Sequence, residues 1–334
     1  MKQVEEGTRR AGGLTAVPAL IQQLQGNILG ILEEAGVPVG LLALPENRIS
    51  HRQVIRLLNV AAERTGCRHF GLLAGSAWKL TDLGLLGDLM SNSPNIGRAL
   101  QELVLYQHLN SDGAVAFLIK REIATELGYS FYVPLHDSTS QFYMTVLAAA
   151  VNFMRELSSP DWAPAEVLFP FSEPRDIGPY QAHFRAPLVF NSPRCALCIG
   201  TKDLTRKIEG ASREALEAGL LKAKGLGPNS LFDIVSRSIR TLLLQGAASG
   251  DSVAKSLALH RRTLSRRLAE QGTSFQDCLD QVRMTVAKEL IESSDVAIPQ
   301  IASALCYSNS ESFFRAFKRW TGTTPNLART RGRG

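Results

Sequence analysis

From residue 250 onward, apolar side chains recur at three- and four-residue spacings and write one two-helix pattern twice. Val253, Leu257, Leu259, Leu264 and Leu268 anchor the first copy, and Ile301, Leu305, Tyr307, Phe313 and Phe317 the second. Ala254 and Ala302 stand where two steeply crossed helices must approach closely. Twelve residues separate Ala254 from Arg266 and 13 separate Ala302 from Arg315, which predicts a second turn one residue longer. His260 and Ser308 occupy the expected starts of the two second helices. Serine is the better cap, because its hydroxyl accepts an exposed backbone N–H. Between the copies, Phe275, Cys278, Leu279, Val282, Ala287, Leu290 and Ile291 predict one helix from Phe275 to Ser293. Such a rod is roughly 28 Å long at the helical rise. Gly272 is expected to close the helix before it, and Pro299 to sit in the first turn of the helix after it. Recognition helices in successive major grooves lie roughly 34 Å apart. The rod plus the widths of its flanking units can set that spacing, so the pattern implies DNA reading.

The first two hundred residues follow a different rhythm. Val17 to Glu34 and Ser50 to Arg64 predict amphipathic helices, followed by helices at Leu83 to Leu89 and Ile96 to His108. Ser93-Pro94 reads as the start of the latter, with proline in the first turn. Ala114 to Ile119 and Tyr129 to Val133 then predict a hairpin, with Gly128 assigned to the turn between them. Phe142 to Leu157 predicts a long apolar helix, and Glu166 to Phe171 and Cys195 to Ile199 predict strands. This is an α+β domain expected over residues 14–209, with a linker at 210–229 and an all-α domain with two helix-turn-helix motifs and a connecting helix at 230–330.

Charge sharpens the division. Of 37 Lys+Arg and 31 Asp+Glu, 15 and 9 lie in residues 226–334, leaving 22 of each in residues 1–225. The net charge of +6 therefore resides wholly in the half with the paired helices, where phosphates would use it. No apolar run reaches the roughly 18 residues of a membrane span. Met1 to Arg10 is charged and no compact apolar segment with a cleavage site follows, so no secretory leader is expected. Five scattered cysteines, an odd number, fit a reducing cytoplasm, the expected location.

Enzymatic signatures are missing from the sequence. Cys195 and Cys198 have C-x-x-C spacing, but on a strand they point to opposite faces and no second pair completes a zinc site. His51, His69, His108, His136 and His183 form no H-E-x-x-H pattern, and no G-x-S-x-G or phosphate-loop run occurs. Neither enzyme activity, cofactor nor metal is expected. The aromatic group Tyr106, Phe117, Tyr129, Phe131 and Tyr132 offers candidates for lining a ligand cavity, although strands favour aromatics as core in any case.

The stretch from Tyr307 to Pro325, ending with Arg329, resembles the DNA-binding domain of the AraC/XylS family of bacterial transcription regulators. Departures fall at Ala258 and Cys306, turn positions where that family has glycine, and at Ala328, where an aromatic is common. Phe70 to Leu73, Leu83 to Gly87, Ser93 to Leu100, Asp161-Trp162 and Phe184 to Phe190 resemble the arabinose-binding-like effector domain of ornithine- and quorum-response regulators. The resemblance implies a promoter-binding regulator that dimerises and responds to a small effector. Its partners would be double-stranded promoter DNA and an unidentified small molecule, with RNA polymerase also eligible at a promoter. It places base reading on Arg262, Ser265 and Arg266, and guanine is the natural partner of arginine. Ser310, Glu311, Phe314 and Arg315 are the corresponding exposed face of the second copy. Arg261, Arg267, Lys318 and Arg319 are expected at phosphates, which fix register without specifying sequence. Two alternatives are a regulator controlled by protein partners and a DNA-repair alkyl acceptor. The latter needs a Pro-Cys-His-Arg tetrapeptide, which the sequence lacks.

Overall fold

The computed structural model describes residues 7–226 and 230–331. Gly227–Asn229, the end of the expected linker, lie outside the described residues, as do residues 1–6 and 332–334. The first half is the expected mixture of helices and strands, and residues 230–331 are all helical.

Strands β1 (Thr8–Arg10) and β2 (Arg48–Ser50) pair antiparallel at one edge of the N-terminal domain. They were not anticipated, and they draw residues before position 14 into this domain. The main sheet runs β3-β4-β7-β5-β6, from β3 (Ala114–Lys120), β4 (Ala124–Phe131), β5 (Glu166–Leu168), β6 (Leu188–Val189) and β7 (Cys195–Gly200). Only β5 and β6 pair in parallel. The helix Ser140–Leu157 packs against this sheet and against the short helix Phe70–Ser76. That second contact is backbone-close: a Cβ at Gly71 would lie 2.0 Å from the Gln141 carbonyl oxygen. The Thr145 hydroxyl donates to the Gly71 carbonyl across the same seam at 2.9 Å.

Several expected elements differ in detail. Val17 to Glu34 is not one helix but two, Val17–Gln23 and Ile28–Ala35. The chain reverses at Gln25, which has φ +58°, and Asn27 caps the second helix. The helix at Ile96 is capped by Asn95, so Pro94 precedes it rather than sitting in its first turn. Gly128 lies inside β4, not in a turn; it faces Phe117, whose ring occupies the space a Cβ would take. The hairpin instead reverses between Lys120 and Ala124. The expected linker holds a helix, Arg213–Lys224, capped by Ser212 and packed on Leu85–Ser91 through Gly219. Cys195 is buried and Cys198 partly exposed, as opposite strand faces require.

The C-terminal half comprises helices Leu231–Leu244, Gly250–Ser256, Arg261–Glu270, Phe275–Ser293, Ile298–Ala304, Ser310–Thr321 and Pro325–Arg331. The rod has its predicted bounds because Ser274 and Asp277 form a reciprocal capping box at its start. It serves two cores in sequence. Cys278, Leu279 and Val282 join Val253, Leu264 and Leu268, whereas Val286, Ala287, Leu290 and Ile291 join Ile301, Phe313 and Phe317. The first core is continuous with the N-terminal sheet, since Val115, Tyr132 and Val133 pack against Val235 and Ile239.

Candidate nucleic-acid interface

In the first unit, Leu264 and Leu268 are buried in its core, and that commitment turns the rest of the Arg261–Glu270 helix outward. Arg261, Arg262, Ser265, Arg266 and Arg267 are all exposed. Residues one helical turn apart share a face, so Arg262, Ser265 and Arg266 form one contiguous polar strip. The Arg261 guanidinium donates to Asp251 at 2.7 Å, and that of Arg266 to Glu270 at 3.1 Å. Exposed pairs of this kind hold weakly and can exchange for phosphate or base contacts. Arg262 and Arg267 have no ion pair among the described residues. His260 does cap this helix, its Nδ1 accepting from the Arg262 backbone N–H at 3.2 Å.

The second unit is built to the same plan with tighter fastening. Its cap is Asn309, not Ser308: the Asn309 side chain accepts from the Ser312 N–H at 2.8 Å. Phe313, Ala316 and Phe317 are buried, and Gly322 ends the helix in the left-handed conformation. Glu311, Arg315, Lys318 and Arg319 are exposed, but Ser310 and Phe314 are only partly so. Phe314 packs edge-on to Phe313 at 6.4 Å and belongs to the margin of the second core, which corrects its expected place on the open face. Arg315 bonds to Glu311 at 3.3 Å, and Arg319 reaches Asp280 of the rod at 2.5 Å.

The connecting turns run from Leu257 to His260 and from Leu305 to Asn309, the second longer by one residue as its spacing predicted. Both contain a non-glycine residue in the left-handed region, Ala258 at φ +52° and Cys306 at φ +57°. These are the two positions where glycine was missing from the sequence pattern. At Cys306 the surroundings compensate. Its carbonyl accepts from Arg283 at 3.2 Å, and its thiol faces the Leu243 carbonyl at 3.6 Å. Arg283, whose guanidinium also lies 4.4 Å above the Tyr307 ring, was not anticipated, because its role depends on a partner 23 residues away. Arg329 likewise fastens the last helix by donating to the Val296 carbonyl at 2.6 Å.

The candidate effector aromatics do not converge. Phe117 is buried against Gly128, and Phe131 packs on His51 and Phe142. Tyr132 faces the first DNA-binding core, and Tyr106 leans toward His108 at the domain margin. Tyr129 of that group lines a cavity in the N-terminal domain.

Two helix-turn-helix units on one rod, bearing the chain's whole excess of positive charge, define a DNA-binding transcription regulator rather than an enzyme. A family model for the arabinose-binding domain of AraC transcription regulators matches residues 28–208, and one for a helix-turn-helix domain matches 253–331. The chain belongs to the AraC family of transcription regulators. It is 25% identical over 329 residues to the HTH-type transcriptional regulator VirS of Mycobacterium tuberculosis, covering 97% of this chain and 96% of VirS. To VqsM of Pseudomonas aeruginosa it is 26% identical over 264 residues, covering 75% and 81% of the two chains. The ornithine utilization regulator of the same organism is 24% identical over 302 residues, covering 89% of this chain and 88% of its own. Among the described residues no helix is long and apolar enough to cross a membrane.

Proposed function

We propose that the protein binds promoter DNA sequence-selectively, mainly through the first recognition helix, and that a small molecule in the N-terminal domain modulates this binding. The observation that carries the first part is the exposed strip Arg262, Ser265 and Arg266, set opposite the buried Leu264 and Leu268. Arg262 and Arg266 have the reach and donor geometry for guanine edges. Ser310, Glu311 and Arg315 serve the second half-site, with Phe314 contributing only its exposed rim, and Glu311 accepts from a cytosine amine. Arg261, Arg267, Lys318 and Arg319 hold phosphates. The chain acts as a homodimer at a promoter, where RNA polymerase is the downstream partner. Residues 8–209 form the effector unit, 210–229 the connector and 230–330 the DNA-binding unit. Selection from random duplexes followed by footprinting tests this: two protected segments roughly one helical turn apart are expected for each bound protomer. Protection without sequence preference would refute it.

The second part is supported by the placement of β3 and β4. Ala116 and Tyr129 line the N-terminal cavity, whereas the adjacent Val115 packs in the first DNA-binding core. Ser130, next to Tyr129, accepts from the buried Arg240 guanidinium at 2.7 Å. Neighbours on a strand point to opposite faces, so this sheet is a single partition between cavity and DNA-binding unit. Ala149 lines the cavity from the other side, and Ala149→Leu fills part of it. A change of about fivefold or more in operator affinity is expected, in the usual range of coupling between sites. Unchanged affinity in a folded variant would favour control by a protein partner.

A further inference from the structure

The cavity has a chemistry of its own. It lies between β3, β4 and the Ser140–Leu157 helix, is about 70 Å³ in volume, and is walled mainly by apolar side chains including Leu83, Leu103, Leu127, Leu147 and Phe153. A buried arginine opens onto it. Arg9 is 3% exposed and makes no ion pair among the described residues; the one hydrogen bond of its side chain there is to the Arg10 carbonyl, at 3.5 Å. The guanidinium is held by aromatic rings, 4.6 Å from the Trp78 centroid and 5.5 Å from that of Phe142. Asp112, the acid near this strand, is already engaged by Arg48 and Thr8. Burial pulls the Arg9 guanidinium down to about 10, which leaves it charged at neutral pH. An isolated buried cation is costly, and desolvated charges persist where they are paired.

Two more residues that line this space carry unpaired donors. Gln107 spends its amide oxygen on the Ala116 N–H, while its Nε2 has no partner, and the Trp78 indole N–H has none either. Both residues line the cavity and are buried. Unpaired buried donors are rare in folded proteins and call for an acceptor. No aspartate or glutamate lines the cavity, so nothing there would neutralise an ammonium group. Ordered water could bond the amide and indole donors, but it would not balance the charge of Arg9. An apolar cavity of 150 Å³ holds the six carbons of benzene, so about 70 Å³ takes roughly three or four non-hydrogen atoms in all, a ligand the size of acetate.

We propose that this cavity binds a small monocarboxylate with a short apolar body, its carboxylate on Arg9, Gln107 and Trp78. The proposal rests on the effector reading above and narrows it to one ligand class. It is tested by calorimetric titration of the full chain with sodium acetate, acetamide and ethylammonium chloride. Acetate is expected to bind at least tenfold more tightly than either of the others, and Arg9→Gln to remove that preference. The comparison of the three ligands on the unaltered chain holds even where Arg9→Gln fails to fold. Equal binding of acetate and acetamide, tighter binding of ethylammonium, or no binding of acetate overturns the proposal. The broader effector reading fails separately, when filling the cavity with Ala149→Leu leaves operator affinity unchanged.

Discussion

The two helix-turn-helix units share a plan and a rod, but they spend their side chains differently. The first packs its core against the N-terminal sheet through Val115, Tyr132 and Val133 and leaves four arginines of its second helix exposed. The second meets the N-terminal domain through polar contacts: Ser172 donates to Asp295 at 2.8 Å, and Asn191 accepts from the Asp295 N–H at 2.7 Å. Arg315 is paired with Glu311 much as Arg266 is with Glu270, but Arg319 is held by Asp280 of the rod and Arg283 by the turn, whereas Arg262 and Arg267 of the first unit have no ion pair among the described residues. A repeated motif therefore need not repeat its side-chain pairing. On the function proposed above, the first unit is the principal reader and the second a supporting contact.

The largest expected effect comes from cutting the rod between its two cores. Ala287 is buried within the helix Phe275–Ser293, and proline there removes a backbone hydrogen bond and clashes with the preceding turn. Ala287→Pro should cost about 3 kcal/mol or more in denaturant unfolding and shorten the footprint to one half-site. A full-length footprint would show that the units need no rigid connection.

The turns offer a finer contrast. A non-glycine residue in the left-handed region costs about 1 to 2 kcal/mol. Ala258→Gly should therefore stabilise the chain by about 1 kcal/mol in thermal or urea unfolding, after glycine's entropic cost. Cys306→Gly should gain less, because it also loses the thiol contact with Leu243. Equal gains would mean that this contact contributes nothing.

A third contrast is one of pH. Glu289 projects from the rod toward the N-terminal domain, where desolvation raises its carboxyl to about 7 against the opposing effects of its Tyr143 hydrogen bond and the nearby Arg240. A carboxyl raised above its ordinary 4.5 on folding contributes stability that is complete below that value and is lost as pH rises through about 7. The unfolding midpoint should fall between pH 5 and 8, and Glu289→Gln should flatten that slope. A slope unchanged by the substitution would remove Glu289 from this side of the domain contact.

The paired units and the rod were legible in the sequence because each rests on local chemistry: a capping box at Ser274, Pro299 in a first turn, and aliphatic spacing that survives into the cores. The misreadings arose where two local signals competed or where the decisive contact was distant. Ser308 and Asn309 are both competent caps, and only the approach of Asn309 to Ser312 decides between them. Gly128 has the composition of a turn, yet its missing side chain makes room for Phe117 across the hairpin. Nothing in the period of Thr8 to Arg10 announces a strand of three residues, so Arg9 and the cavity it enters escaped notice. Phe314 follows the exposed spacing of its helix, but an adjoining aromatic core recruits it.

The inequality of the two readers is tested most directly by measuring affinity for the selected operator and for unrelated DNA of equal length, in Arg266→Ala and in Arg315→Ala. Loss of a base-reading arginine costs about 1 to 3 kcal/mol at the cognate site and relaxes specificity there. Arg266→Ala should accordingly lower the operator-to-unrelated ratio by about tenfold, with Arg315→Ala lowering it distinctly less. Equal losses, or a larger loss for Arg315→Ala, would contradict the assignment of the first unit as the principal reader.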